Sequence, residues 1–97
     1  MMLAKLNYKG QANGWMMERH MLTSMAQTTT GNKERLNGLM VTYTYQVNGI
    51  VYRNEELLKY SIIDAPELNA LQRDKLPLRI KIRYDQSAPK NAAIVLE

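Results

Sequence analysis

Four basic side chains in two alternating segments are the residues best suited to chemistry: Arg53, Arg79, Lys81 and Arg83. If both segments are β-strands of one sheet, alternation places these cations on one face, where they could bind the phosphates of a nucleic acid. Single-strand binding normally adds aromatic side chains on which bases stack, and the neighbouring tyrosines fall on the opposite parity. We therefore favour a solvated face whose charges discourage edge-to-edge aggregation, and keep nucleic-acid binding as the alternative.

The titratable residues form no pattern typical of a metal centre or an active site. His20 is the only histidine and the chain has no cysteine, whereas a zinc site takes three or four ligands. The sequence also lacks a Gly-x-Ser-x-Gly turn and a glycine-rich nucleotide loop. We interpret the remaining candidate acids and bases as strand-edge and helix-cap charges: Glu55, Glu56, Asp64, Glu67 and Asp74. We expect no enzyme activity, no cofactor and no bound metal.

One tryptophan and several methionines form an unusual cluster: Trp15, Met16, Met17, Met21 and Met25. Methionine fills irregular gaps in cores and also serves surfaces that adapt to a partner. Core filling is the interpretation we favour, with a partner-binding or self-association patch as the alternative. If a partner face exists, its aromatic candidates are Trp15, Tyr43, Tyr45 and Tyr52.

The size and composition of the chain limit these alternatives. Its 97 residues are enough for one small domain, 1–97, with one modest core. The formal net charge of +4 permits binding to nucleic acid or anionic lipid without indicating either. Neither a signal peptide nor an apolar run long enough to span a bilayer is evident, so we expect a soluble chain, cytoplasmic or membrane-associated. The ends, Met1-Met2 and Leu96-Glu97, leave open that it is a fragment without its flanking membrane segments.

The clearest secondary-structure signal is the pair Asn48-Gly49, which is flanked by alternating β-formers from Val41 to Arg53. This pattern predicts a two-residue hairpin with a type I′ turn, in which both turn residues have positive φ. The predicted register pairs Val47 with Ile50, Tyr45 with Tyr52 and Tyr43 with Asn54. One face of the hairpin is the core candidate, formed by Val41, Tyr43, Tyr45, Val47, Ile50 and Tyr52.

Two segments before the hairpin are harder to assign. Glycine and asparagine interrupt residues 1–14, which favours an extended lead-in of doubtful order. Trp15 to Ala26 fits a capped helix and a strand equally well by periodicity, and we choose the strand. Residues 27–37 are interpreted as a loop because they contain Thr-Thr-Thr-Gly-Asn and a charged run.

After the hairpin, a strand is expected to continue through residues 55–63 and a short helix to cover 66–74, with Asp64 as N-cap and Pro66 in the first turn. Leu78 to Asp85 predicts another strand, 85–91 a turn, and Ala92 to Leu96 a final strand. The sequence therefore predicts a mainly β domain of four to five strands with one short helix. Its architecture is a small antiparallel sheet or a half-open barrel, of which we favour the barrel.

Two segments resemble the bacterial domain of unknown function 3592 family. They are the hairpin Tyr43-Thr44-Tyr45-Gln46-Val47-Asn48-Gly49-Ile50-Val51-Tyr52 and the closing segment from Ile80 to Leu96, with its Tyr84-Asp85 pair, Pro89 and Ala-x-Val-Leu ending. The resemblance implies a small β domain often found beside transmembrane helices, and it provides no catalytic residues. We expect a non-enzymatic structural or protein-interaction module, in which a protein partner or a second copy binds an open sheet edge or the tyrosine-rich face. The alternative is a small nucleic-acid-binding barrel that uses the basic face.

Overall fold

The computed structural model describes residues 7–59 and 71–96. Five strands make up most of this part of the chain: β1 (Gly10–Thr28), β2 (Gly31–Val47), β3 (Ile50–Lys59), β4 (Leu78–Asp85) and β5 (Ala88–Ile94). Residues 71–73 are helical. The mainly β fold and the short helix are thus confirmed, although residues 60–63 of the expected strand and 66–70 of the expected helix lie outside the described residues.

The strands form one antiparallel sheet in the order β3-β2-β1-β4-β5, which curls into a partly open barrel. Strand β1 lies at the centre, paired with β2 from Gly14 to Thr28 and with β4 from Gly10 to Met16. Strands β3 and β5 are the two ends of the sheet, and side chains link them. Asn54 Nδ2 donates to the Lys90 carbonyl at 2.9 Å, and the Ile94 N–H donates to Glu56 Oε1 at 3.1 Å.

The predicted hairpin is confirmed in turn and register. Asn48 and Gly49 have φ values of 51° and 83°, the left-handed region that a type I′ turn requires. Val47 pairs with Ile50 and Tyr45 with Tyr52, and Tyr43 pairs with Asn54. The strand assignment of Trp15 to Ala26 is also confirmed, since these residues lie within β1.

Three loop or turn predictions were wrong in their extent. Residues 10–14 belong to β1 rather than to a lead-in, and residues 31–37 belong to β2 rather than to a loop. Only Thr29 and Thr30 turn between these strands, so polar residues extend the sheet because each has a partner across the hairpin. The turn after β4 is likewise short, because residues 88–91 already belong to β5.

The core lies inside the barrel and follows the alternation of the strands. From Leu39 to Val47, core-facing positions of β2 are buried while their neighbours are more exposed, with the exception of Thr42, which is 6% exposed. Leu71, from the helical turn, adds a buried side chain to the core. Ile50 was expected in the core and is 57% exposed, because it lies at the hairpin end beyond the barrel wall. The largest fully buried side chains are Met16, Leu39, Val41, Tyr43, Tyr45, Leu58 and Ile82.

Candidate binding face on the outside of the barrel

The pairing of four strands places two of the predicted basic residues in one row with the only tryptophan. Trp15 pairs with Arg79 on β4 and with Thr44 on β2, and Thr44 pairs in turn with Arg53 on β3. Directly paired residues share one face of a sheet. Because Met16 next to Trp15 is buried in the core, this row lies on the outer face, where Trp15 is 46% exposed. With strands ~4.8 Å apart, the two arginine backbones are separated by ~14 Å.

The other two predicted cations extend this row along β4. Lys81 pairs with Asn13 and Arg83 pairs with Gln11, both on β1. All four side chains are exposed. Alternate positions of a strand are ~6.6 Å apart, so the three cations of β4 form a line with an amide side chain or Trp15 beside each one. The outer face formed by Trp15, Arg53, Arg79, Lys81, Arg83, Gln11 and Asn13 is called the Trp15 face below.

Acidic residues lie at both ends of the Trp15 face, with Asp85 at the next alternate position of β4 after Arg83 and Glu18 and Glu55 at the other end. In the row beyond Trp15, Glu18 pairs with Thr42 and Thr42 pairs with Glu55. Arg53 donates to Glu18 Oε1 at 3.4 Å, and both side chains are more than half exposed. An exposed ion pair of this kind contributes little to stability and separates easily. Glu18 and Glu55 line a shallow depression together with Thr42, Arg53 and Asn54.

The four aromatic residues predicted to form a partner face lie on opposite sides of the barrel wall. Tyr43 and Tyr45 are 1% and 2% exposed, and Tyr45 stacks on both Tyr43 and Tyr52 with ring centroids 5.9 and 5.4 Å apart. Burial raises the pKa of both Tyr43 and Tyr45, and hydrogen bonding to Asn54 opposes this rise. Their rings are therefore part of the core, Tyr52 is half-buried beside them, and Trp15 alone lies outside.

The methionine cluster divides between core and surface. Met16 is fully buried, which agrees with core filling. Core filling was wrong for the others, because Met17 is 40% exposed and Met21 and Met25 are each 64% exposed. Met17 is the extra residue of a bulge, and the latter two lie where β1 and β2 extend past β4. This extension of β1 and β2 beyond β4, residues 17–28 and 31–37, is called the ribbon below, and among the described residues its outer part is two-stranded, since residues 23–28 pair there only with residues 31–36.

The remaining titratable residues lie apart from one another. His20 is exposed on β1 and pairs with Met40. No three histidine, cysteine, aspartate or glutamate side chains gather as metal ligands within residues 7–59 and 71–96. Glu55 and Glu56 point to opposite faces of β3, while Asp64 and Glu67 lie outside the described residues. Within the same ranges, no helix is long and apolar enough to cross a membrane.

Sequence reasoning identified all four cations but did not place Trp15 with them. The only signal was the alternation of side chains along the strands. Once β1 pairs with β4, Trp15 lies on the same face as Arg79, whereas the tyrosines of β2 lie on the opposite face. No protein-family model, no curated protein and no solved structure matches this chain. The resemblance to the domain of unknown function 3592 family therefore stays a prediction.

Proposed function

We propose that this chain is a non-enzymatic interaction module that self-associates through the β1 edge of its ribbon. The observation that carries the proposal is the end of β4 pairing at Met16. From Met17 to Thr28, the edge of β1 that continues the β4 side has no strand partner among the described residues. Unpaired backbone N–H and C=O groups on such an edge can bind another strand.

Apolar side chains on the ribbon also favour association. Met21 pairs with Leu39, a core residue, so Met21 extends the core face beyond the barrel. Met25 lies on the same face four residues further along β1. Both side chains are 64% exposed. Gln72 contacts Met21 through a hydrogen bond from Nε2 to Sδ at 3.3 Å and leaves most of this side chain exposed. The outer part of the ribbon is two-stranded, and such a pair alone is marginally stable in water, so a further strand at its edge would stabilise it.

The spacing of the methionines favours a second copy of the chain as the occupant. Met21 and Met25 lie symmetrically about Thr23. If two β1 edges pair antiparallel around a two-fold axis at Thr23, each Met21 faces the partner's Met25, and four methionines meet on one face. Such an isologous contact uses the same patch on both copies. The resemblance to the domain of unknown function 3592 family supports a setting beside the membrane helices of a larger bacterial protein.

Sedimentation equilibrium over a range of protein concentrations tests the proposal. We expect the wild-type mass to rise from monomer to dimer. Met21→Lys and Met25→Lys should keep the chain monomeric, because each places a charge in the apolar contact. Val51→Lys is the matched control, since Val51 is 67% exposed on β3, away from the ribbon, and should leave the dimer unchanged. A wild-type chain that stays monomeric up to millimolar concentration would contradict the proposal.

The register is tested by cross-linking, which is unambiguous because the chain has no cysteine. Two Thr23→Cys chains paired about Thr23 bring their Cα atoms to ~4.5–5.5 Å, which suits a disulfide. We expect Thr23→Cys to form a disulfide-linked dimer on mild oxidation, while Ser24→Cys, offset by two residues from its copy, does not. Equal cross-linking of both variants would reject this register.

A further inference from the structure

We infer that the Trp15 face binds single-stranded nucleic acid, with a base stacked on Trp15 and phosphates held by Arg79, Lys81 and Arg83. This site is separate from the ribbon edge and does not depend on self-association. It brings the predicted cations together with the one aromatic side chain that has their parity.

Trp15 supplies the platform that the basic residues alone would lack. Its ring is nearly half exposed on the outer face and is flanked along its row by Arg79 and Thr44. Stacking of a base on an aromatic side chain contributes ~1–3 kcal/mol and tolerates any base, because every base has a π-face. An exposed tryptophan with a cation directly beside it therefore suits an anionic ligand that also carries an aromatic ring.

The line of cations on β4 matches the backbone of such a ligand. Arg79, Lys81 and Arg83 follow one another at ~6.6 Å, which is close to the spacing of successive phosphates in an extended single strand. Beside them on β1, the exposed amides of Asn13 and Gln11 can donate to and accept from base edges. A strand lying across β1 and β4 would meet phosphate-binding groups on one side and base-binding groups on the other.

Acidic residues limit this path at both ends, because Asp85 occupies the next alternate position of β4 after Arg83. Glu18 and Glu55 lie in the row beyond Trp15, where their carboxylates would repel phosphates. We expect the ligand to lie between Trp15 and Arg83, with Glu18 beyond one end of this path and Asp85 beyond the other. Arg53 is held by Glu18 and adds a phosphate contact only when that exposed pair opens.

A single strand fits this face better than a duplex or a lipid surface. Stacking on Trp15 requires a base that is not already paired and stacked. The side chains between Trp15 and Arg83 are polar, whereas a membrane-binding face needs apolar groups that enter the bilayer. Partly open five-stranded barrels in other proteins also bind single strands on an outer face, which supports the inference by analogy.

The test is a titration of the full chain with a mixed-sequence single-stranded oligonucleotide of about twelve nucleotides, followed by Trp15 fluorescence. Trp15 is the only tryptophan, so quenching reports this face alone. We expect saturable quenching and a binding constant that falls ~20-fold between ~50 and ~200 mM salt, as release of about three counterions predicts. No quenching at the lower salt would overturn the inference, as would tighter binding to vesicles of anionic phospholipid than to the oligonucleotide.

Variants locate the site, with a labelled oligonucleotide as the probe when Trp15 is changed. Arg79→Glu with Lys81→Glu should weaken binding at least 10-fold. The control double variant, Arg73→Glu with Lys75→Glu, changes the net charge by the same amount at exposed positions outside the Trp15 face. It should weaken oligonucleotide binding far less. An equal loss in both double variants would mean that net charge alone attracts the strand, and would overturn the site.

Three further measurements separate the contributions of stacking, charge and oligomeric state. Trp15→Ala should weaken binding about 5- to 150-fold, the equivalent of one stacked base. Glu18→Gln should strengthen binding, because it removes a repulsive charge and releases Arg53. Met21→Lys should bind as well as wild type, since the Trp15 face does not include the ribbon, and this result distinguishes failure of the site from failure of self-association. Unchanged binding by Trp15→Ala would reject the stacking role.

Discussion

At the scale of single residues, Tyr43 shows how the core couples stability to pH. Its ring is 1% exposed, and burial raises the pKa of its phenol above the ordinary value near 10. The folded state therefore keeps the Tyr43 proton at a pH at which the unfolded chain has lost it. This contribution to stability is complete below pH ~10 and is lost as pH rises toward the folded-state pKa.

We predict that Tyr43→Phe makes the protein less sensitive to alkali. Between pH 9 and 11, the free energy of unfolding should fall by ~1 kcal/mol less in Tyr43→Phe than in wild type, because phenylalanine does not titrate. Urea denaturation at several pH values measures this difference. Val41→Ala, another substitution in the buried part of β2, should lower stability equally at each pH. Parallel curves for wild type and Tyr43→Phe would contradict the prediction.

The surroundings of Trp15 show why the burial and the neighbours of a single residue are hard to predict from sequence. Its neighbours Met16 and Met17 have the same residue type, yet Met16 is fully buried and Met17 is 40% exposed. A bulge between Met16 and Glu18 causes this difference, and bulges depend on the partner strand. The position of Trp15 beside Arg79 depends on pairing between residues 64 positions apart, which no local pattern specifies.

At the scale of elements, β1 has strand partners on both sides from Gly14 to Met16, and Gly14 leaves room for both neighbours. Gly14 pairs with Tyr45 on β2 and Ile80 on β4. A Cβ atom at Gly14 would lie 2.6 Å from the Thr44 carbonyl oxygen and 2.9 Å from Ile82 Cγ1. Glycine is thus needed for the close approach of β2 and β4 to the middle of the barrel wall.

We predict that Gly14→Ala lowers the free energy of unfolding by ~1–3 kcal/mol, the usual range for overpacking, because a backbone carbonyl must move. Urea denaturation provides the measurement. Asn13→Ala, at the exposed neighbouring position, should change stability by less than ~0.5 kcal/mol. A Gly14→Ala variant as stable as wild type would show that the strands are not held this close in solution.

The elements also differ in how well the sequence predicts them. Asn48-Gly49 determines a local turn, so the pairing of Tyr45 with Tyr52 follows by counting. Residues 31–37 look like a loop because most of their side chains are polar or charged, yet residues 31–36 are in β2 and pair with β1. The sequence underestimates β2 because this polar segment has no alternation of apolar residues, and it underestimates β1 because Gly10 and Gly14, which are buried in the sheet, have the composition of a turn.

At the scale of the whole molecule, closure of the barrel depends on side chains. Proline at position 89 has no N–H, so the side of β5 that faces β3 cannot form a complete ladder. Tyr45 instead donates its hydroxyl to the Pro89 carbonyl at 2.5 Å, and Asn54 donates to the Tyr45 hydroxyl at 3.3 Å and to the Lys90 carbonyl at 2.9 Å. The sequence contains these tyrosines and this proline, but the contacts between them depend on the meeting of the two ends of the sheet, which no local pattern predicts.

We therefore predict that Asn54→Ala opens the barrel at β5 without unfolding the rest. The substitution removes two hydrogen bonds, each contributing ~0.5–1.5 kcal/mol, so the amides of β5 should exchange with solvent about 5- to 100-fold faster. The amides of β2 from Leu39 to Val47 should change much less, because their strand pairs with β1 and β3 on its two sides. Hydrogen exchange followed by NMR measures both strands in one sample.

Arg53→Ala is the control, since its side chain points outward and only its exposed pair with Glu18 is lost. If β5 and β2 accelerate equally in Asn54→Ala, the barrel opens as one cooperative unit, and the side-chain contacts between β3 and β5 do not form a separable closure.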